Sequence, residues 1–170
     1  VAFAMALQTG CPASQIAGAL ATFKGVQRRF SYKIKEDDFI FIDDYAHHPA
    51  EIDAVYEAII EMHPNKKIVV VFQPHLFSRT RDFADGFAKS LAKFDGILLL
   101  EIYPAREKPL EGISSKWLLE KIKNPQKKLV TKSELTDEIK KLNPDVLVTL
   151  GAGDIGLEVS RIKKELEYAH

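Results

Sequence analysis

Residues 67–72 read Lys67-Ile68-Val69-Val70-Val71-Phe72, a lysine followed by five β-branched or aromatic residues without a polar break. A strand with one wet face alternates in polarity, whereas a run that is apolar at every position fits a parallel strand covered on both faces. Parallel strands need crossovers, and the flanking sequence supplies them. Upstream, Ile52, Val55, Tyr56, Ile59 and Ile60 fall at i, i+3, i+4, i+7 and i+8, the stripe of an amphipathic helix. Downstream, Phe83, Phe87, Leu91 and Phe94 mark a second helix, and Ile97 to Ile102 a second buried strand.

Further out the alternation continues. Trp117, Leu118 and Ile122 suggest a short helix, Leu129-Val130 a short strand, and Leu135, Ile139 and Leu142 a helix. Asp145 to Leu150 is the last strand, and Ile155, Val159, Ile162 and Leu166 lie on a closing helix. Towards the N-terminus, Phe30 to Lys35 alternates as a half-buried strand, Glu36-Asp37-Asp38 turns, and Phe39 to Asp43 pairs back as a hairpin. The pattern predicts an α/β fold: an open, mostly parallel six-stranded sheet with one antiparallel hairpin and helices on both faces. Val1 to Gln8 reads as a helix broken by Thr9-Gly10-Cys11-Pro12, and Ser14 to Phe23 as another ended by Gly25. Two short helices cannot bury their apolar faces alone. Residues 1–28 are therefore expected to be the tail of a preceding domain, and 29–170 the unit proper.

Composition narrows the function. Lys+Arg and Asp+Glu both number 24, and zero formal net charge removes any general attraction to nucleic acid or membrane. Cys11 is the single cysteine, so no intrachain disulfide forms, which fits a reducing compartment. No apolar run approaches the roughly 20 residues of a membrane span. The chain opens inside an apolar helix without an initiator Met, so a longer parent is expected.

In open parallel sheets, ligands sit beyond the carboxyl ends of the strands. There the sequence places Asp43-Asp44-Tyr45-Ala46-His47-His48-Pro49, then Gln73-Pro74-His75-Leu76-Phe77-Ser78-Arg79-Thr80-Arg81, then Tyr103-Pro104-Ala105-Arg106-Glu107, then Gly151-Ala152-Gly153-Asp154-Ile155-Gly156. Arg79 and Arg81 fall in the first turn of a predicted helix, where the macrodipole disfavours cations, with Ser78 or Thr80 as its cap. A helix start carrying arginine suits a carboxylate or phosphate, although solvated arginines paired with Asp82 and Asp85 fit as well. Asp, His47 and His48, with His75 as a partner, could ligate a metal. Alternatively Tyr45 stacks on a base while Asp44 accepts from ribose, and His48 before Pro49 serves helix-start geometry. Gly151-x-Gly153-x-x-Gly156 formally matches a dinucleotide fingerprint, yet suits equally a tight turn that lets a ligand or partner domain approach the backbone. Arg28-Arg29 is a solvated basic pair, or places an arginine on phosphates held between two domains.

Taken in order, Gly25-Val26-Gln27-Arg28-Arg29-Phe30, Asp43-Asp44-Tyr45-Ala46-His47-His48-Pro49, Val71-Phe72-Gln73-Pro74-His75, Ser78-Arg79-Thr80 and Gly151-Ala152-Gly153-Asp154-Ile155 resemble the Mur ligases. Within that family the chain looks most like the branch that joins L-alanine to UDP-N-acetylmuramate in cytoplasmic peptidoglycan precursor synthesis. The resemblance implies a Rossmann-like C-terminal domain behind the last helices of a central ATPase domain. It implies ATP as the phosphoryl donor, with magnesium ligands and P-loop in the missing central domain and no metal ligand here. By resemblance Arg29, Asp44 and Tyr45 meet ATP. His47 and Arg79 are the catalytic candidates, and His47, His48, His75 and Arg79 line an L-alanine pocket. Leu76 departs from the arginine many relatives carry there, leaving one cation fewer, for which Arg81 is the candidate substitute. The fragment alone is expected to be inactive. A stand-alone nucleotide-binding module and a metal-dependent hydrolase are the competing expectations.

Overall fold

The computed structural model describes residues 1–23 and 25–167; residues 168–170, the end of the 29–170 unit expected above, lie outside them. Two short helices, α1 (Ala2–Gln8) and α2 (Ala13–Thr22), lead into a hairpin of β1 (Ser31–Lys35) and β2 (Ile40–Asp44). Then follow α3 (Pro49–Met62), β3 (Ile68–Phe72), α4 (Phe77–Asp82), α5 (Ala84–Leu91), β4 (Gly96–Leu99), α6 (Ser115–Lys121) and β5 (Lys127–Leu129). A 3-10 turn at Lys132–Glu134, α7 (Leu135–Leu142), β6 (Val146–Leu150) and α8 (Ile155–Glu167) complete the chain.

The sheet order is β1-β2-β6-β3-β4-β5. β1 runs antiparallel to β2, and the other neighbours are parallel. The β1–β2 register shifts between Tyr32 and Ile34, leaving Lys33 as an extra residue. Alternate strand residues feed two separate cores. Ile42, Val70, Phe72, Leu99 and Val148 pack with Ile52 and Ile59 of α3, Phe87 and Leu91 of α5 and Leu118 of α6. Phe41, Val69, Val71, Leu98 and Leu147 pack with Leu135 and Ile139 of α7 and Ile155 and Ile162 of α8. Helices thus cover both faces, which is why residues 68–72 carry no polar side chain. Each of these large side chains contributes about 1.5–3 kcal/mol by leaving water.

Several element ends lie a residue or two from the sequence expectation, and two differences are larger. The single helix expected to start at Ser78 or Thr80 and run through the Phe83, Phe87, Leu91 and Phe94 stripe is two pieces, α4 and α5, that meet at a non-helical Phe83 with φ −113° and ψ 18°. The strand expected over 97–102 stops at Leu99, because its three-residue neighbour β5 offers partners only to Ile97, Leu98 and Leu99. Leu100 and Ile102 stay buried all the same, which is what made the segment read as a longer strand. At the N-terminus only Ile16 of α1 and α2 is buried, while Phe3, Met5, Leu20 and Phe23 are exposed. No helix among the described residues is long and apolar enough to cross a membrane.

Candidate active site

Parallel register sets the floor of the site. Asp44 and Phe72 both pair with Leu150, and Phe72 pairs with Leu99, so the loops leaving β2, β6, β3 and β4 start level. A bridge between His75 and Tyr103 carries the pairing beyond the strands.

Asp43, expected to end β2, and Asp44, expected just past it, are the last two residues of the strand and are buried. Asp44 accepts the Phe30 N–H at 2.6 Å and the Ala46 N–H at 2.7 Å, so both oxygens already hold backbone. Asp43 accepts from the Thr149 hydroxyl at 2.9 Å and from Arg28 Nε at 3.2 Å. Arg28 also donates to the Gly151 carbonyl at 2.6 Å, and its backbone is left-handed at φ 57°. Of the two arginines, Arg28 therefore ties the loop to the sheet. Arg29 is exposed and, among the described residues, makes no hydrogen bond or ion pair with its side chain. The guanidinium carbons of Arg28 and Arg29 lie 5.3 and 5.6 Å from the centre of the exposed Tyr45 ring.

His47 is pinned at three points. Its N–H donates to Glu51 at 2.8 Å, and Nδ1 lies 3.0 Å from the Tyr45 carbonyl and 3.3 Å from the Glu51 carboxylate. Burial raises the Glu51 carboxyl, but the His47 N–H and charge, the His48 N–H and the Arg29 charge outweigh it and hold it below its ordinary value. His48, expected either to serve helix-start geometry or to line the L-alanine pocket, is the N-cap of α3. Its side chain accepts the Ala50 N–H at 3.3 Å, Glu51 closes a capping box, and Pro49 occupies the first turn. Its ring packs edge-on against Phe83.

His75 stacks on Tyr103 with ring centres 5.7 Å apart and stands 6.1 Å from His47. A row of rings, Tyr45, His47, His75 and Tyr103, thus crosses the ends of three strands. Burial first, then the charges of Arg79 and His47, push the His75 imidazole below its ordinary value, against a smaller opposing pull from Glu107. His75 Nδ1 and Arg79 Nη1 are both buried without a hydrogen-bond partner. Such groups cost roughly 1–3 kcal/mol each when left unpaired.

Neither Ser78 nor Thr80 caps α4, contrary to expectation. The N-cap is Leu76, with φ 71°, and the Thr80 hydroxyl bonds back to the Leu76 carbonyl at 2.8 Å. Ser78 instead donates its N–H to Glu107 at 3.0 Å and its hydroxyl to the same carboxylate. Arg81, the candidate substitute for an arginine at position 76, is exposed and ion-paired with Asp82 at 2.8 Å.

The glycine motif is filled by the chain itself. A Cβ on Gly151, whose φ is 142°, would lie 2.7 Å from the Gln73 carbonyl oxygen, and one on Gly153 would lie 2.7 Å from Tyr103 Cβ. Gly156 lies against the Arg28 guanidinium. The close approach expected of a ligand or partner domain is thus made by Gln73, Tyr103 and Arg28. Gln73 donates to Asp154 at 2.8 Å and accepts the Ile155 N–H at 2.9 Å. Burial raises the Asp154 carboxyl, but hydrogen bonds from Lys132 and Gln73 bring it below its ordinary value. Beside this turn runs a groove of about 420 Å³ lined by Gln73, Tyr103, Lys132 and Asp154 among others. Among the described residues no group of three or more His, Cys, Asp or Glu side chains is disposed to hold a metal ion.

Sequence reasoning gave no role to Gln73, Glu107 or Asp154. Glu107 lies 29 residues from Ser78 and Asp154 81 from Gln73, so only the sheet order brings each pair together. Their one sequence signal is a place just after a strand.

The family described as "Mur ligase, glutamate ligase domain" matches residues 28–153. A UDP-N-acetylmuramate–L-alanine ligase of Flavobacterium psychrophilum is 61% identical over 167 residues, which is 98% of this chain and 37% of the relative. The protein of that name from Flavobacterium johnsoniae is 58% identical over 98% of this chain and 37% of its own length. Among solved structures, the UDP-N-acetylmuramate–alanine ligase of Thermotoga maritima superposes with a TM-score of 0.74 at 28% identity, covering 99% of this chain and 36% of that one. The chain thus spans little more than a third of the length of these relatives. On the family match, the identity to these ligases and the shared fold, the chain belongs to the Mur ligase family.

Proposed function

We propose that this chain is the C-terminal domain of a longer cytoplasmic ligase that uses ATP to join L-alanine to UDP-N-acetylmuramate for peptidoglycan synthesis. Residues 1–28 are the tail of its central ATPase domain, and 29–170 the domain itself. The relatives' names support the reaction, and the bare apolar side chains of α1 and α2 support the division. The observation that carries the site is the pair of buried atoms without partners, His75 Nδ1 and Arg79 Nη1.

The residues divide the work as follows. Arg79 donates to the L-alanine carboxylate, a charge-assisted bond stronger than a neutral one. With Leu76 in place of a second arginine, Arg79 carries that carboxylate alone. His75, whose imidazole is pushed below its ordinary value by burial and the Arg79 charge, has an unpartnered Nδ1 that can accept a hydrogen bond from the substrate ammonium. His47 borders the same space, oriented by Glu51. Tyr45 offers an exposed ring to adenine, and Arg29 an unpaired guanidinium to the phosphates. Asp44 reaches ribose only with the acceptor positions left by its two backbone bonds. ATP, when bound, supplies the phosphoryl group that turns the muramyl carboxylate into an acyl phosphate open to the alanine amine. The UDP-sugar and magnesium are held by the rest of the longer protein.

Phosphate release by the full-length parent tests this, with ATP, UDP-N-acetylmuramate and L-alanine omitted in turn. Release should need all three, the isolated chain should show none, and Arg79→Ala should raise the L-alanine KM by about 10–100-fold, as expected when a charged hydrogen bond of roughly 1.5–3 kcal/mol is lost. Alanine-independent release would reject the reaction. A wild-type KM in Arg79→Ala would reject the role of Arg79.

A further inference from the structure

We propose that Glu107 is a positioning residue for the amino-acid site: it acts as a detached cap on α4, fixing the register in which Arg79 meets the substrate carboxylate. The proposal rests on the ligase function proposed above and gives a role to a residue outside the pocket itself.

Helix α4 needs outside support. It has six residues, well below the length at which a helix holds on its own. Its N-cap position is Leu76, which has no side-chain acceptor, and it starts from a left-handed backbone that leucine rarely adopts. The orphan amides of the first turn therefore want an acceptor from elsewhere. Glu107 is that acceptor: its carboxylate takes both the N–H and the hydroxyl of Ser78, the residue directly before Arg79. A negative charge there also suits the helix dipole and offsets the cost of Arg79 in the same turn. The Ser78 hydroxyl and then its N–H hold the Glu107 carboxyl below its ordinary value, which keeps it charged.

The geometry around Glu107 is itself built. Its N–H donates to the Pro104 carbonyl at 2.9 Å, across a turn in which Ala105 is also left-handed at φ 50°. The same loop is laced to the β3 loop twice more, by Tyr103 N–H to the Pro74 carbonyl at 2.8 Å and by Leu76 N–H to the Tyr103 carbonyl at 2.9 Å. Those two bonds secure His75 and the start of α4. Only Glu107 reaches past them into the helix. Its loss should therefore disturb Arg79 more than His75.

The test uses the full-length protein with Glu107→Ala, Glu107→Gln and Ser78→Ala, alone and in the Ser78→Ala/Glu107→Ala pair. Glu107→Ala should raise the KM for L-alanine about tenfold through misplacement of Arg79, leaving those for ATP and UDP-N-acetylmuramate unchanged. Glu107→Gln, which keeps one acceptor, should rescue part of the loss, and the double variant should be no worse than Glu107→Ala. If Glu107→Ala does not fold, Glu107→Gln and Ser78→Ala carry the same comparison. Equal changes in all three KM values, or none in the alanine KM while Arg79→Ala raises it, overturn the proposal. Wild-type release that ignores alanine removes the ligase function itself, and that outcome is visible without any variant.

Discussion

Asp44 shows how a residue can be conspicuous for one reason and placed for another. Beside tyrosine and two histidines it resembles a nucleotide ligand, yet its oxygens hold the Phe30 and Ala46 amides. Those two bonds tie the entry of the hairpin to the turn that presents Tyr45 and His47. Asp44→Ala should destabilise the fold by about 2–3 kcal/mol, because it leaves buried amides unpaired rather than merely removing a charge. A fall in the urea midpoint at constant m would measure it, and an unchanged midpoint would return Asp44 to a role in ligand binding alone. The arginine pair divides in the same way: Arg28 is committed to Asp43 and Gly151, and Arg29 is exposed beside the Tyr45 ring. Nothing in two adjacent arginines separates these fates in sequence, since the division depends on which side chain faces β6.

At the scale of elements, the strands and their order of appearance were legible because burial on both faces forces runs such as Ile68 to Phe72. The breaks were not. Leu100 and Ile102 are buried without extending β4, and Phe83, where the apolar stripe begins, separates α5 from the short helix before it. Of the candidate site, the post-strand loops that hold its residues were legible, and so was the helix-start reading of His48, which caps α3; the contact of Glu107 with Ser78 was not. Local pattern reports what a residue is, whereas a cap supplied from 29 residues away is a property of the sheet order. The turn after β6 makes the same point: of three glycines spaced like a dinucleotide motif, Gly151 lies against the Gln73 carbonyl, Gly153 against Tyr103 and Gly156 against the Arg28 guanidinium, all of this chain. Gly153→Ala would drive its methyl to 2.7 Å from Tyr103 Cβ, with Tyr103 already stacked on His75. A loss of about 1–3 kcal/mol is expected from such overpacking, read as a lower thermal midpoint. Tight NAD binding by the wild-type chain would show instead that the turn is open.

At the scale of the molecule, the two N-terminal helices and the sheet domain contrast. Helices of 7 and 10 residues with Ile16 as their single buried side chain lie below the length that sustains a helix in water. Amides of residues 2–22 should exchange hydrogen almost freely in the isolated chain and be protected in the longer protein, by native-state exchange under matched conditions. Equal protection in both would mean that these helices belong to this domain. The sheet carries its own safeguard. An open sheet ends in two unpaired edges, and each is a template on which another chain's strand can polymerise. Here the antiparallel edge is kinked where Lys33 is squeezed out of register, and the far edge is three residues long with Lys127 and Lys128 on it. Two copies meeting edge to edge find no long, flat ladder to extend, which guards the domain against fibre-like aggregation while the newly made chain is still crowded by its neighbours.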